Sequence, residues 1–168
     1  EAIAKQAAGE TGGVCAAAND NAPGQAVVSG SKAAIDRAMV LAAEGGAKKS
    51  VLLPVSAPFH CSLMQPAAEA MRAALADVAI APPVVPLIAN VRAKPVSDPE
   101  TIRGLLIEQV TGRVRWRESV LEMKAMGVTH LVELGAGKVL SGLARRIDRE
   151  LTAVAVGTPA GVEAFLAS

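Results

Sequence analysis

The chain has 168 residues, a formal net charge of +1 and 51% apolar side chains, but only two Phe, one Trp and no Tyr. Near-neutral charge gives no support to nucleic-acid or membrane-surface binding, and no stretch approaches the roughly 20 consecutive apolar residues of a membrane span. The core must be built from Ala, Val, Leu, Ile and Met, and Cys15 and Cys61, which have neither CxxC nor metal-ligand spacing, read as reduced thiols of a cytoplasmic protein.

The sequence opens inside a helix-like run, Ala2 to Ala8, that stops near Gly9; a start within an element suggests a fragment. Val14 to Ala18 is short and apolar, a strand; Asn19 to Gly24 is a dense turn cluster; Gln25 to Ser29 is β-rich and ends at Gly30. Ser31 can cap a helix to about Glu44 with Ile35, Met39 and Ala42 on its apolar face, and Gly45-Gly46 stops it. Ser50 to Leu53 predicts a third strand closed by Pro54. Strand, strand, helix, strand is the back portion of a βαββαβ unit, so residues 1–54 read as an incomplete ferredoxin-like small subdomain.

From Val55 to Ser62 the chain is irregular and punctuated by Pro. A helix to about Ala76 follows, with Met71, Leu75 and Val78 on one face and a possible Ser62/Gln65 capping box or a Pro66 first turn. Val84 to Ala89 predicts a short buried strand. Helices are expected over Asp98–Val110 and Trp116–Met126, the second stopped by Gly127. A strand over Val128–Leu134, a turn at Gly135-Ala136-Gly137, a helix from about Lys138 to Arg149, a strand over Thr152–Val156 and a helix from about Pro159 complete the chain. Residues 55–168 therefore read as an α/β layer structure with parallel pairing.

His60 is the most informative residue, because an irregular segment between a Pro and a helix start can aim a side chain into a cleft. Imidazole, with a reference pKa of about 6.5, is the usual base for a serine nucleophile; a core or loop histidine is the other reading. His130, mid-strand, reads as a packing or surface residue. Gly135-Ala136-Gly137-Lys138 lacks the spacing of a phosphate loop, so ATP binding is rejected in favour of a tight strand-to-helix turn. Arg113, Arg115 and Arg117 alternate around Trp116 and read as a solvated face with Trp116 packed inward.

Five segments carry a resemblance. Ala18-Asn19-Asp20-Asn21-Ala22-Pro23-Gly24-Gln25 with Val28-Ser29-Gly30 is similar to the asparagine-rich hairpin of malonyl-CoA:acyl-carrier-protein transacylases of bacterial fatty-acid synthesis. Pro54-Val55-Ser56-Ala57-Pro58-Phe59-His60-Cys61-Ser62-Leu63-Met64 resembles that family's catalytic-histidine segment. Ala89-Asn90-Val91, Gln109 to Trp116 and Glu133 to Leu140 continue the match in order. The resemblance covers nearly the whole chain, as the second half of a protein about twice as long.

The resemblance implies the C-terminal part of an α/β-hydrolase-like parallel-sheet domain joined to the small subdomain. It implies a ping-pong transfer of malonyl from CoA to the phosphopantetheine thiol of acyl carrier protein, with no cofactor of the enzyme's own. His60 is then the base of a Gly-x-Ser-x-Gly nucleophile. Gln109 lies 49 positions after it and matches the residue whose backbone carbonyl orients the ring; its own sequence context alone favours a polar residue near a helix end. Asn19 and Asn21 match asparagines facing the acyl chain or pantetheine, or else bond their own backbone in the turn. Phe59 fits the malonyl-selective pattern. Lys48 and Lys49 match basic residues that meet the acidic carrier protein, or are a solvated pair at a strand edge.

No Gly-x-Ser-x-Gly occurs in the chain, and the family's malonyl-binding arginine and Gly-Gln-Gly segment are also missing from it. The expected partners are thus malonyl-CoA, acyl carrier protein and the N-terminal half of the same enzyme. The fragment alone is expected to be inactive and a poor folder. A non-catalytic module retaining only the carrier-binding surface is the alternative, and an acyltransferase domain of a polyketide synthase ranks third because the chain ends soon after Gly157-Thr158-Pro159.

Overall fold

The computed structural model describes residues 1–167; Ser168 lies outside them. Helix α1 (Ala2–Thr11) runs two residues past the expected stop at Gly9 and ends at Gly12. It packs on α2 (Lys32–Glu44) through small side chains: Ala4 and Ala7 face Ala34, Ala38 and Leu41, with Ile3, Cys15 and Val28 around this cluster. The buried face of α2 is one position N-terminal of the expected Ile35, Met39 and Ala42, which lie half-buried at its flank. Small residues set that face because alanines let two helices approach closely. Ser31 occupies the N-cap position without capping, since its hydroxyl donates to Val14 O at 3.3 Å.

Between these helices, β1 (Cys15–Ala22) pairs antiparallel with β2 (Gln25–Gly30). The asparagine run is therefore strand, not turn, and the connection is only Pro23-Gly24. Pro fixes φ at the first loop position, and Gly24 takes φ +72° at the second, which a side chain would disfavour. Bulges at Ala17/Asn19 and Asp20/Ala22 bend β1.

The expected third strand is absent. Ser50–Pro54 is exposed and irregular, with Val51 61% exposed, and pairs with no strand among the described residues. Pairing is what makes a β-strand, and in this chain the segment finds no partner. For the same reason Val84 and Val85 are solvent-exposed rather than buried, and the strand expected over Val84–Ala89 shrinks to β3 (Leu87–Ala89). It forms a hairpin with β4 (Lys94–Val96), an element the sequence reading missed.

Helix α3 (Gln65–Leu75) follows a short 3-10 turn, Ser62–Met64, with Pro66 in its first turn and no capping box. Its buried residue is Ala68, while Met71 and Val78 are exposed. Helix α4 (Pro99–Thr111) starts at Asp98, whose carboxylate accepts the Thr101 N–H at 2.7 Å. Helix α5 (Trp116–Ala125) packs against β1. The parallel pair β5 (His130–Leu134) and β6 (Thr152–Val156) is joined by α6 (Val139–Ile147), and α7 (Pro159–Leu166) closes the chain. The α/β class stands, carried by three two-stranded sheets.

Candidate active site

His60 sits where backbone strain aims it. Its φ is +60°, a left-handed conformation uncommon outside Gly that costs roughly 1–3 kcal/mol. The turn is braced on both sides: Phe59 N–H donates to Ala57 O at 3.0 Å, and the buried Cys61 thiol donates to Pro58 O at 3.2 Å.

The half-buried ring bonds the end of α4. His60 Nδ1 lies 3.0 Å from Gln109 O. A helix leaves its last carbonyls without internal partners, and Gln109 belongs to the last turn of α4. Its oxygen is thus free to accept the Nδ1 proton, which leaves Nε2 as the ring's basic nitrogen. Helix C-termini also carry partial negative charge, so the contact that orients the ring faces it with that charge.

Two features hold this carbonyl. The Gln109 side-chain amide donates to Gly112 O at 2.9 Å, folding the helix end back on itself. Gly112 permits a close approach: a Cβ there would lie 2.7 Å from Val91 Cγ2 and 2.8 Å from Glu108 O.

Beyond Gly112 the chain meets the hairpin. Val114 N–H donates to Ala18 O at 2.8 Å, and Asp20 N–H donates to Val114 O at 2.9 Å, a parallel bridge centred on Asn19. Ala18, Asp20 and Ala22 are buried on one face of β1; Asn19 and Asn21 alternate with them and are half-buried. Neither asparagine side chain makes a hydrogen bond among the described residues, so neither is used up in a turn.

Asp20, missed at the sequence level, is 7% exposed. Its carboxylate accepts from Arg117 Nε at 3.0 Å and Nη2 at 2.6 Å and lies 3.2 Å from Arg113 Nη2. The Arg117 hydrogen bonds hold its pKa below the usual carboxylate range. Arg113 and Arg117 are therefore not a solvated face. Arg115 pairs with Glu118, whose carboxyl that contact lowers. No local pattern marks the pairing, because Arg113, before α5, and Arg117, in its first turn, come from a part of the chain far from Asp20 in sequence.

No family model matches the chain. Its relatives include the malonyl CoA-acyl carrier protein transacylase of Salmonella typhimurium, 44% identical over 155 residues, which cover 92% of this chain and 50% of that protein. The Bacillus subtilis transacylase is 43% identical over 154 residues, covering 92% and 49%. The chain is a homologue of the C-terminal part of these transacylases. It spans about half the length of the curated relatives it matches.

Solved transacylases share the fold. An acyl-carrier-protein-S-malonyltransferase from Bartonella henselae superposes with a TM-score of 0.92 at 54% identity, over 99% of this chain and 52% of that one. A malonyl-transacylase in complex with a type II PKS acyl-carrier protein superposes with a TM-score of 0.91 at 37% identity, over 99% and 54%.

The remaining residues picked out from the transacylase resemblance lie outside the His60–Gln109 contact. Phe59 is exposed beside His60. Lys48 and Lys49 are exposed in the turn after α2 and make no ion pair among the described residues. His130 is exposed at the start of β5, its Nδ1 2.8 Å from Thr129 Oγ1. Gly135 to Lys138 is the turn into α6, whose first amides are capped by Glu133: it accepts Leu140 N–H at 3.0 Å and Ser141 N–H at 2.8 Å. The Ser141 contacts lower the Glu133 carboxyl pKa. Among the described residues no group of three His, Cys, Asp or Glu side chains is placed to hold a metal ion, and no helix is long and apolar enough to cross a membrane.

Proposed function

We propose that this chain is the C-terminal part of a cytoplasmic acyltransferase that moves malonyl from CoA to the phosphopantetheine thiol of acyl carrier protein. The observation that carries the reading is the His60 Nδ1 hydrogen bond to the Gln109 main-chain oxygen. It leaves Nε2 available to a serine hydroxyl contributed by the part of the polypeptide outside this chain. In the first half-reaction the serine oxygen attacks the malonyl thioester carbon as His60 Nε2 takes its proton; the C–S bond breaks and His60 returns the proton to the CoA sulfur. In the second, the carrier's thiol gives its proton to His60 and attacks the malonyl-serine ester, and the proton passes back to the serine oxygen. A carbonyl supports the imidazolium less than a carboxylate would, but a thioester is already a reactive acyl donor.

Asn19 and Asn21, with unengaged amides on one face of the hairpin, hold the acyl chain or pantetheine in this reading. Phe59 walls the acyl pocket, and Lys48 and Lys49 draw in the acidic carrier. Residues 1–54 act as part of a small subdomain and 55–168 as part of the large one, and the chain alone is inactive. The transacylase superposed in complex with an acyl-carrier protein supports the choice of acceptor.

The test is transfer of labelled malonyl from CoA to carrier protein by the intact gene product. Transfer that depends on His60 is expected; no transfer by the intact protein would overturn the reading. Carrier binding without any transfer would mark a non-catalytic module instead.

A further inference from the structure

We infer that Asp20, held by Arg117 and Arg113, is a positioning residue that locks the asparagine hairpin to the segment orienting His60. The inference rests on the transfer reading above and adds a residue that takes no part in the chemistry.

The hairpin bearing Asn19 and Asn21 and the helix end bearing the Gln109 carbonyl come from distant parts of the chain. They are joined by two backbone hydrogen bonds at Val114, of 2.8 and 2.9 Å. A bridge this short does not fix register on its own, and β1 carries bulges on both sides of it, where the ladder is interrupted. The carboxylate on the same residue that donates the second bond supplies the further constraint. Asp20 Oδ1 and Oδ2 both accept from Arg117 Nε, Oδ2 also accepts from Nη2, and Arg113 Nη2 stands 3.2 Å from Oδ2. A planar guanidinium binding both carboxylate oxygens sets direction as well as distance.

Arg113 and Arg117 flank Val114 and Trp116, so the clamp brackets the bridge. Arg113 also pairs with Glu1 at the start of α1, and Arg117 is anchored in the first turn of α5. With Asp20 turned to the buried face, strand alternation turns Asn19 and Asn21 to the other. The clamp thereby fixes how far the two amides stand from the histidine. Its removal should be felt by every substrate that presents pantetheine, whether on CoA or on the carrier.

The experiment uses the full-length protein with Asp20→Asn, Arg117→Gln and the double variant. Expected is a rise in KM of about tenfold for malonyl-CoA and for carrier protein alike in each single variant. The kcat per active site, titrated by malonyl-enzyme formation, should change less than threefold, and Arg117→Lys should recover part of the loss. The double variant should be no worse than the worse single one. A merely structural role would lower the active fraction and leave both KM values unchanged, and that result overturns the inference; so would full additivity of the two substitutions. If Asp20→Asn does not fold, Arg117→Gln, which leaves Arg113 on the carboxylate, decides alone. If the wild-type protein transfers no malonyl, the function reading fails, and hydrogen exchange judges the clamp separately. The Asp20 and Val114 amides should then exchange at least tenfold faster in Arg117→Gln, and unchanged exchange overturns it.

Discussion

If the Gln109 carbonyl orients His60, replacing the Gln109 side chain should matter far less than displacing its backbone. Gln109→Ala removes one side-chain hydrogen bond, the 2.9 Å contact to Gly112 O. Such a bond contributes about 0.5–1.5 kcal/mol. Even if all of it appeared as misplacement of the base in the transition state, the rate would fall only about two- to thirteenfold. Gly112→Ala leaves Gln109 intact but places a Cβ 2.7 Å from Val91 Cγ2 and 2.8 Å from Glu108 O. Carbon contacts relax to about 3.5–4.0 Å. Val91 can rotate away, but the Glu108 carbonyl is backbone of the helix that carries Gln109. The end of α4 must therefore shift by roughly 0.7–1 Å, enough to cost about 30- to 100-fold where the orienting geometry is strict. The assay is steady-state kcat/KM for malonyl transfer in the full-length protein, with thermal melts to show that both variants are folded. A loss above about 100-fold in Gln109→Ala with an unchanged melt would refute the reasoning, because it would mean the side chain, not the main chain, serves the histidine.

Asp20 sets an acid limit on stability. Its folded pKa is depressed by Arg117 below an unfolded value of about 3.9, so its contribution is complete above about pH 5 and drains away as pH falls past the unfolded value and through the folded one. Urea melts of wild type and Asp20→Asn should differ by a constant amount from pH 5 to 7, and the difference should shrink below about pH 4; a gap that widened in acid would contradict the sign. Lys48→Glu with Lys49→Glu should weaken carrier-protein binding several-fold at low ionic strength and much less at 1 M salt, with malonyl-CoA acylation unaffected; binding measured by titration calorimetry at two salt concentrations checks this. The isolated 168-residue chain should associate or aggregate, because Leu134 is 77% and Val51 61% exposed beside unpaired strand edges. A cooperative, monomeric melt by calorimetry and light scattering would overturn that expectation.

Local signals in the sequence reached the helices well and the site in part. Helix α4 was legible from Asp98 and Pro99 at its start, and α5 from Gly127 at its end, because caps and breakers act within a few residues. The His60–Gln109 contact was reached through the family resemblance; nothing local links residues 49 positions apart. The asparagine run was misread because Asn, Asp, Pro and Gly favour turns, whereas the bulged strand tolerates Asn19, Asp20 and Asn21 and needs only Pro23-Gly24 to reverse. The arginines were misread because charged side chains are ordinarily solvated. Asp20 breaks that rule only because two guanidinium groups from another part of the fold meet it, and tertiary pairing of that kind leaves no periodic trace.

The strands that failed share one physical cause. Ser50–Leu53 and Val84–Val85 are apolar and rich in β-branched or aliphatic residues, yet both are exposed and neither is in a strand here. Propensity for a strand is largely fitness for a half-buried pleated surface, so such sequences describe the surroundings they are built for. Among the described residues β2 bonds only β1, and β5 bonds only β6, which leaves an unpaired edge on each. A cavity of about 320 Å³ opens between β3 and β5, lined by Leu87 and Ile88 on one side and Leu131 and Val132 on the other. Relatives are about twice as long. Composition asks for sheet neighbours at Ser50–Leu53 and Val84–Val85, and an apolar segment that meets no free strand stays exposed and unpaired whatever its propensity.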